Sequence, residues 1–133
     1  MSRKLFLTIA GLIASGIGSI ALFAPMILLV DMKQAIASDI GLVMARTAGA
    51  FLLPLGIMSL LIRNHEDSPT MVSVLFANAC LQILILPVDP LAYISGAYGS
   101  IASFLPNTIL HILLLLGFIH FWWTARGRSV VTN

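Results

Sequence analysis

The sequence predicts an all-α integral membrane protein, folded as a four-helix bundle with both termini on the cytoplasmic side. Three observations predict this class. Hydrophobic residues make up 59% of the 133 residues and charged residues only 9%, whereas soluble domains contain about 25% charged residues. Four apolar segments have the length of about 20 residues that a membrane-crossing helix needs. The basic residues collect at one side of these segments.

The predicted helices span residues 5–30, 40–62, 69–86 and 103–124, within a single domain of residues 1–133. The connections after the first and second helices are short. The connection between the third and fourth helices is longer and contains two prolines and two glycines, which fits a turn and an interfacial half-helix.

Capping residues support two of the boundaries. Ser38 and Asp39 can cap the second helix, and Ser68 followed by Pro69 matches the usual order of an N-cap and a first helical residue. The fourth helix starts at Ser103 or at Leu105, depending on whether Pro106 is the first helical residue.

Small residues recur at four-residue spacing in the first two helices, a pattern that lets helix backbones approach closely in a membrane. The repeats are Gly11 with Ser15 and Ser19, Ala14 with Gly18, and Ala45 with Gly49. They predict a tightly packed bundle without identifying which helices meet.

The basic residues predict the orientation, because lysine and arginine favour the cytoplasmic side. With both termini inside, one basic residue, Lys33, lies in an outer loop. The basic residues on the cytoplasmic side are then Arg3, Lys4, Arg63, Arg126 and Arg128.

Several function classes are excluded or disfavoured. The formal charge of +2 is small and no basic cluster follows a phosphate track, so nucleic acid is not an expected partner. A single cysteine, Cys80, excludes an intramolecular disulfide and thiol relays that need a cysteine pair. No nucleophile, base and orienting group occur together, and no metal-ligand spacing is present. We therefore expect no catalytic residues, no metal and no cofactor, and an enzyme is the weaker class.

Five polar side chains within the apolar segments are the candidate functional residues: Arg46, Asn78, Gln82, Asn107 and His111. Ionisable groups at membrane depth cost roughly 2.5–3.5 kcal/mol on insertion scales and usually face protein or water. Counted along helices at about 1.5 Å per residue, all five fall in the outer half of the bilayer.

Four of these residues form two pairs with helical spacing. Asn78 and Gln82 share one helix face, and so do Asn107 and His111. If the third and fourth helices run antiparallel with these faces together, Gln82 meets Asn107 and Asn78 meets His111.

Arg46 has two interpretations. It could lie across from the two pairs, in a crevice left by Gly49 and Ala50 on its own face, or it could extend to the outer surface as arginines near helix ends do. The acidic residues available on that side are Asp31, Asp39 and Asp89. The outer loop that carries Asp89, Tyr93 and Tyr98 either covers a pocket or is a hydrated connector.

Two main functional hypotheses remain open. The first is a non-enzymatic membrane module or accessory subunit, in a homo-oligomer or a larger membrane complex, whose polar residues fix helix packing. The alternative is a lipid, quinone or small-molecule binder or transporter, with the five polar residues forming the pocket. An ion or proton pathway through the same five polar residues is a third hypothesis. The lipid bilayer is the expected environment in every case.

A glycine-rich first helix ending in LFAP, then ARTAGAFLLPLGIMSLLIRN and two more apolar spans, resembles the small four-helix bacterial membrane proteins of the DoxX-like and DUF4345-like kind. The resemblance covers nearly the whole chain. It implies a multi-pass bundle in the bacterial inner membrane and no particular activity. Small multidrug exporters are of similar size but depend on a glutamate in their first helix, and the first span here has no acid.

Overall fold

The computed structural model describes residues 1–35 and 37–129, apart from the side chains of Arg128 and Ser129. The predicted cytoplasmic placement of the Arg128 side chain therefore lies outside the described residues. So do Ile36 and residues 130–133 of the predicted domain.

The described chain is helical, and its only β-type contact is an isolated bridge between Ala35 and Tyr98. The helices are α1 (Arg3–Phe23), α2 (Asp39–Ile62), α3 (Pro69–Ile85), α4 (Val88–Ile94) and α5 (Leu105–Ser129). Four helical stretches are long and apolar enough to cross a membrane, the third of them comprising α3 and α4 together. The all-α class and the four candidate membrane-spanning helices are thus confirmed.

The first helix is shorter than the predicted 5–30, because it ends at Phe23. Pro25 explains the break: it cannot donate a backbone hydrogen bond, and its ring disfavours the α conformation of the preceding residue. Ala24 accordingly has φ −135° and ψ 57°. The chain then forms a separate π-helical segment, Ile27–Met32.

Serine side chains cap three helices by accepting a backbone N–H. Ser2 caps α1 at 3.3 Å, Ser38 caps α2 at 3.0 Å and Ser68 caps α3 at 3.2 Å. The predicted caps Ser38 and Ser68 are confirmed, whereas Asp39 is the first helical residue of α2. Of the two predicted starts of the last helix, the structure has Leu105, and the helix continues beyond the predicted end at residue 124.

The helices form two antiparallel pairs. α1 packs closely on α2, and α3 packs on α5, while α2 and α3 barely touch each other. The predicted small residues make the first contact: a Cβ atom added at Gly18 would lie 2.6 Å from the Leu53 backbone nitrogen, and one at Gly49 would lie 2.5 Å from that of Leu22. Only residues without a side chain allow this approach.

The two pairs share an apolar core near the end of the bundle that carries the termini, called here the terminal end. Phe6 of α1 packs edge-on against Phe118 and beside Phe121, with ring centroids 4.9 and 5.2 Å apart. The other buried members of this core are Leu7, Ala10, Met71, Leu75, Ala79 and Ala125. The opposite end, with the connections around residues 33–35 and 95–104, is called the loop end.

Candidate functional site

A buried carboxylate organises the loop end. Asp89 accepts hydrogen bonds from Lys33 Nζ at 2.7 Å, Tyr98 Oη at 2.9 Å and Asn107 Nδ2 at 2.7 Å. The side chains of Lys33 and Asp89 are only 14% and 11% exposed. These four residues are called the loop-end cluster. The opposite charges of Lys33 and Asp89 compensate each other, and a charged side chain needs such a partner to be buried.

The loop-end cluster joins the two helix pairs, because Lys33 belongs to the connection between α1 and α2, whereas its partners belong to the other half of the chain. Gln34 extends the link by accepting a hydrogen bond from Ser103 at 3.1 Å. Burial raises the pKa of the Tyr98 phenol, and the hydrogen bond to the Asp89 carboxylate and its charge raise it further. Tyr98 therefore stays a hydrogen-bond donor over the whole physiological pH range.

A second set of polar side chains lies between the helices, farther from the loop end. His111 Nδ1 lies 2.6 Å from Gln82 Oε1, and Asn78 Nδ2 donates to the Val74 carbonyl at 2.9 Å. Because an amide oxygen only accepts, His111 Nδ1 donates in this contact, and the neutral ring keeps Nε2 as an acceptor. Asn78, Gln82 and His111 are called the polar wall.

The polar wall has unused hydrogen-bonding capacity. Within residues 1–35 and 37–129, no protein group pairs with the Gln82 amide nitrogen, with Asn78 Oδ1 or with His111 Nε2. Asn78 and Gln82 are nevertheless buried. His111 is half-buried, and none of the three atoms is fully enclosed by protein, so they are open to a bound molecule or water in the space beside them.

All three residues of the polar wall line a cavity of about 280 Å³ between the two helix pairs. The rest of the lining is mostly apolar and comes from every long helix: Ala10, Ile13, Ala14, Ile17, Leu28, Ala48, Leu52, Leu55, Ser59, Leu81, Ile85, Val88, Leu110, Leu114 and Phe118. The loop-end cluster contributes Lys33, Asp89 and Asn107 to the same cavity. The charges of Lys33 and Asp89 cancel, so the lining is formally neutral.

The predicted pairing of the third and last helices is wrong by about one helical turn. Gln82 meets His111 instead of Asn107, and Asn107 meets Asp89. The depth count assumed that the third span ends at residue 86, but the helical stretch continues through α4 to Ile94. α5 therefore faces residues closer to the loop end than the count placed opposite it.

Arg46 does not join the other four candidate residues. It is exposed on α2 and forms no hydrogen bond or ion pair with the described part of the chain. The predicted crevice beside it does not form, because Gly49 packs against the α1 backbone. Asp89, one of the acids considered as its partner, pairs with Lys33 instead.

Sequence reasoning missed Lys33 as a site residue and treated Asp89 and Tyr98 as loop residues. One signal could have identified the pair: Lys33 is the only basic residue of the predicted outer loops, against the usual bias. A lysine on the disfavoured side is expected to have a local acidic partner, and Asp89 lies on that side.

In the part of the chain that the structure describes, no group of three His, Cys, Asp or Glu side chains could hold a metal ion. Comparison of the chain with protein-family models, with curated proteins and with solved structures finds no significant match. The geometry of the cavity and its polar wall is therefore the basis for a functional proposal.

Proposed function

We propose that this chain is a non-enzymatic, multi-pass membrane protein that binds an uncharged amphiphilic molecule, of the lipid or quinone class, between its helix pairs. The observation that carries the proposal is the cavity of about 280 Å³, whose lining is mostly apolar and takes most of its polar side chains from the polar wall and the loop-end cluster. Small-molecule sites typically combine an apolar lining with a few polar groups that orient the ligand.

The unused atoms of the polar wall define the chemistry of the ligand. Gln82 offers an N–H donor, and His111 and Asn78 offer acceptors. A ligand with a hydroxyl or carbonyl group at one end of an apolar body would complement them. A charged head group would be disfavoured, because the lining holds no uncompensated charge to pair with it.

A groove between α2 and α3 supports entry of the ligand from the bilayer. Its volume is about 490 Å³, and three of its residues, Leu55, Asn78 and Leu81, also line the cavity. The groove exists because α2 and α3 barely contact each other. An apolar molecule dissolved in the membrane reaches the polar wall by this route without crossing water.

The proposal predicts that the double variant Gln82→Leu/His111→Leu loses the bound molecule but keeps its fold. Replacing both partners of a buried hydrogen bond by apolar side chains leaves no orphaned group, so the change in stability should be small. The measurement is purification in mild detergent, followed by mass spectrometry of co-purifying small molecules. Far-ultraviolet circular dichroism and a melting curve check the fold.

A second variant tests the cavity without touching the polar wall. Ala14→Phe fills space in the cavity lining and should also expel the molecule, whereas Ala50→Phe, on an exposed position of α2, should retain it. The proposal would be contradicted if the wild type, Gln82→Leu/His111→Leu and Ala14→Phe all retained the molecule equally. A wild-type preparation that contains a stoichiometric partner subunit and no small molecule would also contradict it.

Arg46 favours a second candidate function, that of an accessory subunit. Arg46 is exposed, as are Val43 and Met44 on the same part of α2, which would otherwise face lipid. An arginine there costs roughly 2.5–3.5 kcal/mol unless it reaches the interface or meets a polar partner. Under this candidate, an acidic or amide side chain of a neighbouring subunit pairs with Arg46, and Arg46→Gln releases that subunit in native mass spectrometry.

We also propose that the bundle lies in a bacterial inner membrane, as the resemblance to DoxX-like and DUF4345-like proteins implies, with both termini in the cytoplasm. The basic residues at the terminal end, Arg3, Lys4 and Arg63, support this orientation. We expect a fluorescent-protein fusion after residue 133 to be bright and an alkaline phosphatase fusion at the same site to be inactive. The reverse pattern would overturn the orientation.

A further inference from the structure

A crevice of about 520 Å³ opens at the terminal end of the bundle, separate from the cavity. Its walls come from three places in the chain: the start of α1, the connection after α2 and the last turns of α5. The side chains that can bind a ligand there are Lys4, Arg63, Asn64, His65, His120 and Thr124. This terminal crevice is not used by the proposed small-molecule function.

The terminal crevice is positively charged. Three cationic side chains line it, those of Arg3, Lys4 and Arg63, against one carboxylate, that of Asp67, so three minus one leaves a net side-chain charge of +2. Arg3 and Asp67 form an ion pair with each other. Lys4 and Arg63 are then the cations whose charge is left for a ligand.

The positions of Lys4 and Arg63 suit an anion from solution or from the membrane surface. Lys4 is exposed, and its ammonium has no partner among the described side chains. Arg63 donates one N–H to the Leu60 carbonyl at the end of α2, which leaves four of its five donors available. The Asn64 amide adds a further donor.

The terminal crevice lies at the level where the candidate membrane-spanning helix α1 begins and where α2 and α5 end. Trp122 and Trp123 directly follow Phe121, a residue of the crevice lining, on α5. Arg126 stacks over the Trp122 ring, with its guanidinium carbon 5.7 Å from the ring centroid. Tryptophans mark the membrane interface. Phosphate groups of lipids lie at this depth, and basic pockets between helices are known to bind such head groups.

We propose that the terminal crevice binds a phosphate-type oxyanion through Lys4 and Arg63. The same chemistry is presented by an anionic phospholipid head group and by free phosphate, so the two sources are separated by experiment. A phosphate oxygen pair accepts from the guanidinium of Arg63 while the Lys4 ammonium supplies the second charge, the usual division of roles between these two residues.

The test for a lipid source uses the full chain in nanodiscs of phosphatidylcholine with a minor fraction of phosphatidylglycerol. Native mass spectrometry then measures which lipid stays bound. We expect preferential retention of phosphatidylglycerol. Lys4→Gln and Arg63→Gln should each weaken this preference about fivefold, and the double variant about thirtyfold, given the usual contribution of one basic residue near a membrane surface.

The test for a free source uses nanodiscs of phosphatidylcholine alone. Melting temperatures are compared in inorganic phosphate and in chloride at equal ionic strength. A melting temperature that rises in phosphate for the wild type but not for the double variant supports the site. If the wild type also fails to retain phosphatidylglycerol, the site is assigned to a soluble ligand.

Arg126→Gln is the matched control, because it removes the same charge at the same end of the bundle but outside the crevice lining. It should leave phosphatidylglycerol retention near the wild-type value. An equal loss in Arg126→Gln would overturn the proposal, since only the overall surface charge would then matter. Absence of both lipid retention and phosphate stabilisation in the wild type would overturn it as well. Melting curves confirm that each variant is folded.

Discussion

Replacement of Gly18 by alanine should destabilise the protein by about 1–3 kcal/mol, the usual range for overpacking a close contact. The added Cβ atom would lie 2.6 Å from the backbone nitrogen and 2.9 Å from the Cα atom of Leu53. Both atoms belong to the α2 backbone, so no side-chain rotation relieves the contact, and α1 and α2 must separate. Equilibrium unfolding in detergent, followed by circular dichroism, measures the loss.

Gly16→Ala is the matched control on the same helix. A Cβ atom at Gly16 meets nothing within 4 Å. Alanine has the higher helix propensity, so this variant should be neutral or more stable by up to about 1 kcal/mol. Equal free energies of unfolding for Gly18→Ala and Gly16→Ala would contradict the close packing of α1 on α2.

Replacement of Asp89 by leucine should destabilise the protein by about 3–5 kcal/mol, the usual loss when one partner of a buried ion pair is removed. The reason lies in what remains: Lys33 would keep a charge on a side chain only 14% exposed, without its counterion. Tyr98 and Asn107 would also lose their acceptor. The link between the two helix pairs at the loop end would be lost with them.

The double variant Lys33→Met/Asp89→Leu separates buried charge from simple loss of contacts. Because an apolar pair of similar size often replaces a buried ion pair without loss, the double variant should be more stable than Asp89→Leu alone. Asp31→Ala, which removes an exposed carboxylate, should change the stability by less than about 0.5 kcal/mol. A double variant no more stable than Asp89→Leu would contradict the compensated pair. Equilibrium unfolding measures all three.

The two groups of polar residues in the bundle differ in how far the protein satisfies their hydrogen bonds. Asp89, Lys33, Tyr98 and Asn107 satisfy one another, which suits a structural link. The polar wall keeps unused donors and acceptors at a cavity, which suits a ligand. Stability measurements on the loop-end cluster and binding measurements on the polar wall therefore test structural packing and ligand binding separately.

Much of the fold could be predicted because its causes are local. Run lengths of apolar residues predicted four candidate membrane-spanning helices, and serine caps predicted two helix starts to within one residue. The first helix was predicted too long because hydropathy alone does not register the break before Pro25. In the candidate site, the sequence identified Asn78, Gln82 and His111 as polar residues at depth, and the structure brings these three to one cavity.

The sequence by itself determined the all-helical class, the number of apolar spans and the small residues that permit close packing, since each depends on composition and spacing within one segment. The tertiary structure decided that Gly18 and Gly49 serve the contact of α1 with α2, that Asn107 meets Asp89, and that Arg46 is exposed. These features depend on the rotation and register of one helix against another. A shift of one turn, about 5.4 Å, exchanges every partner across an interface and leaves each helix unchanged.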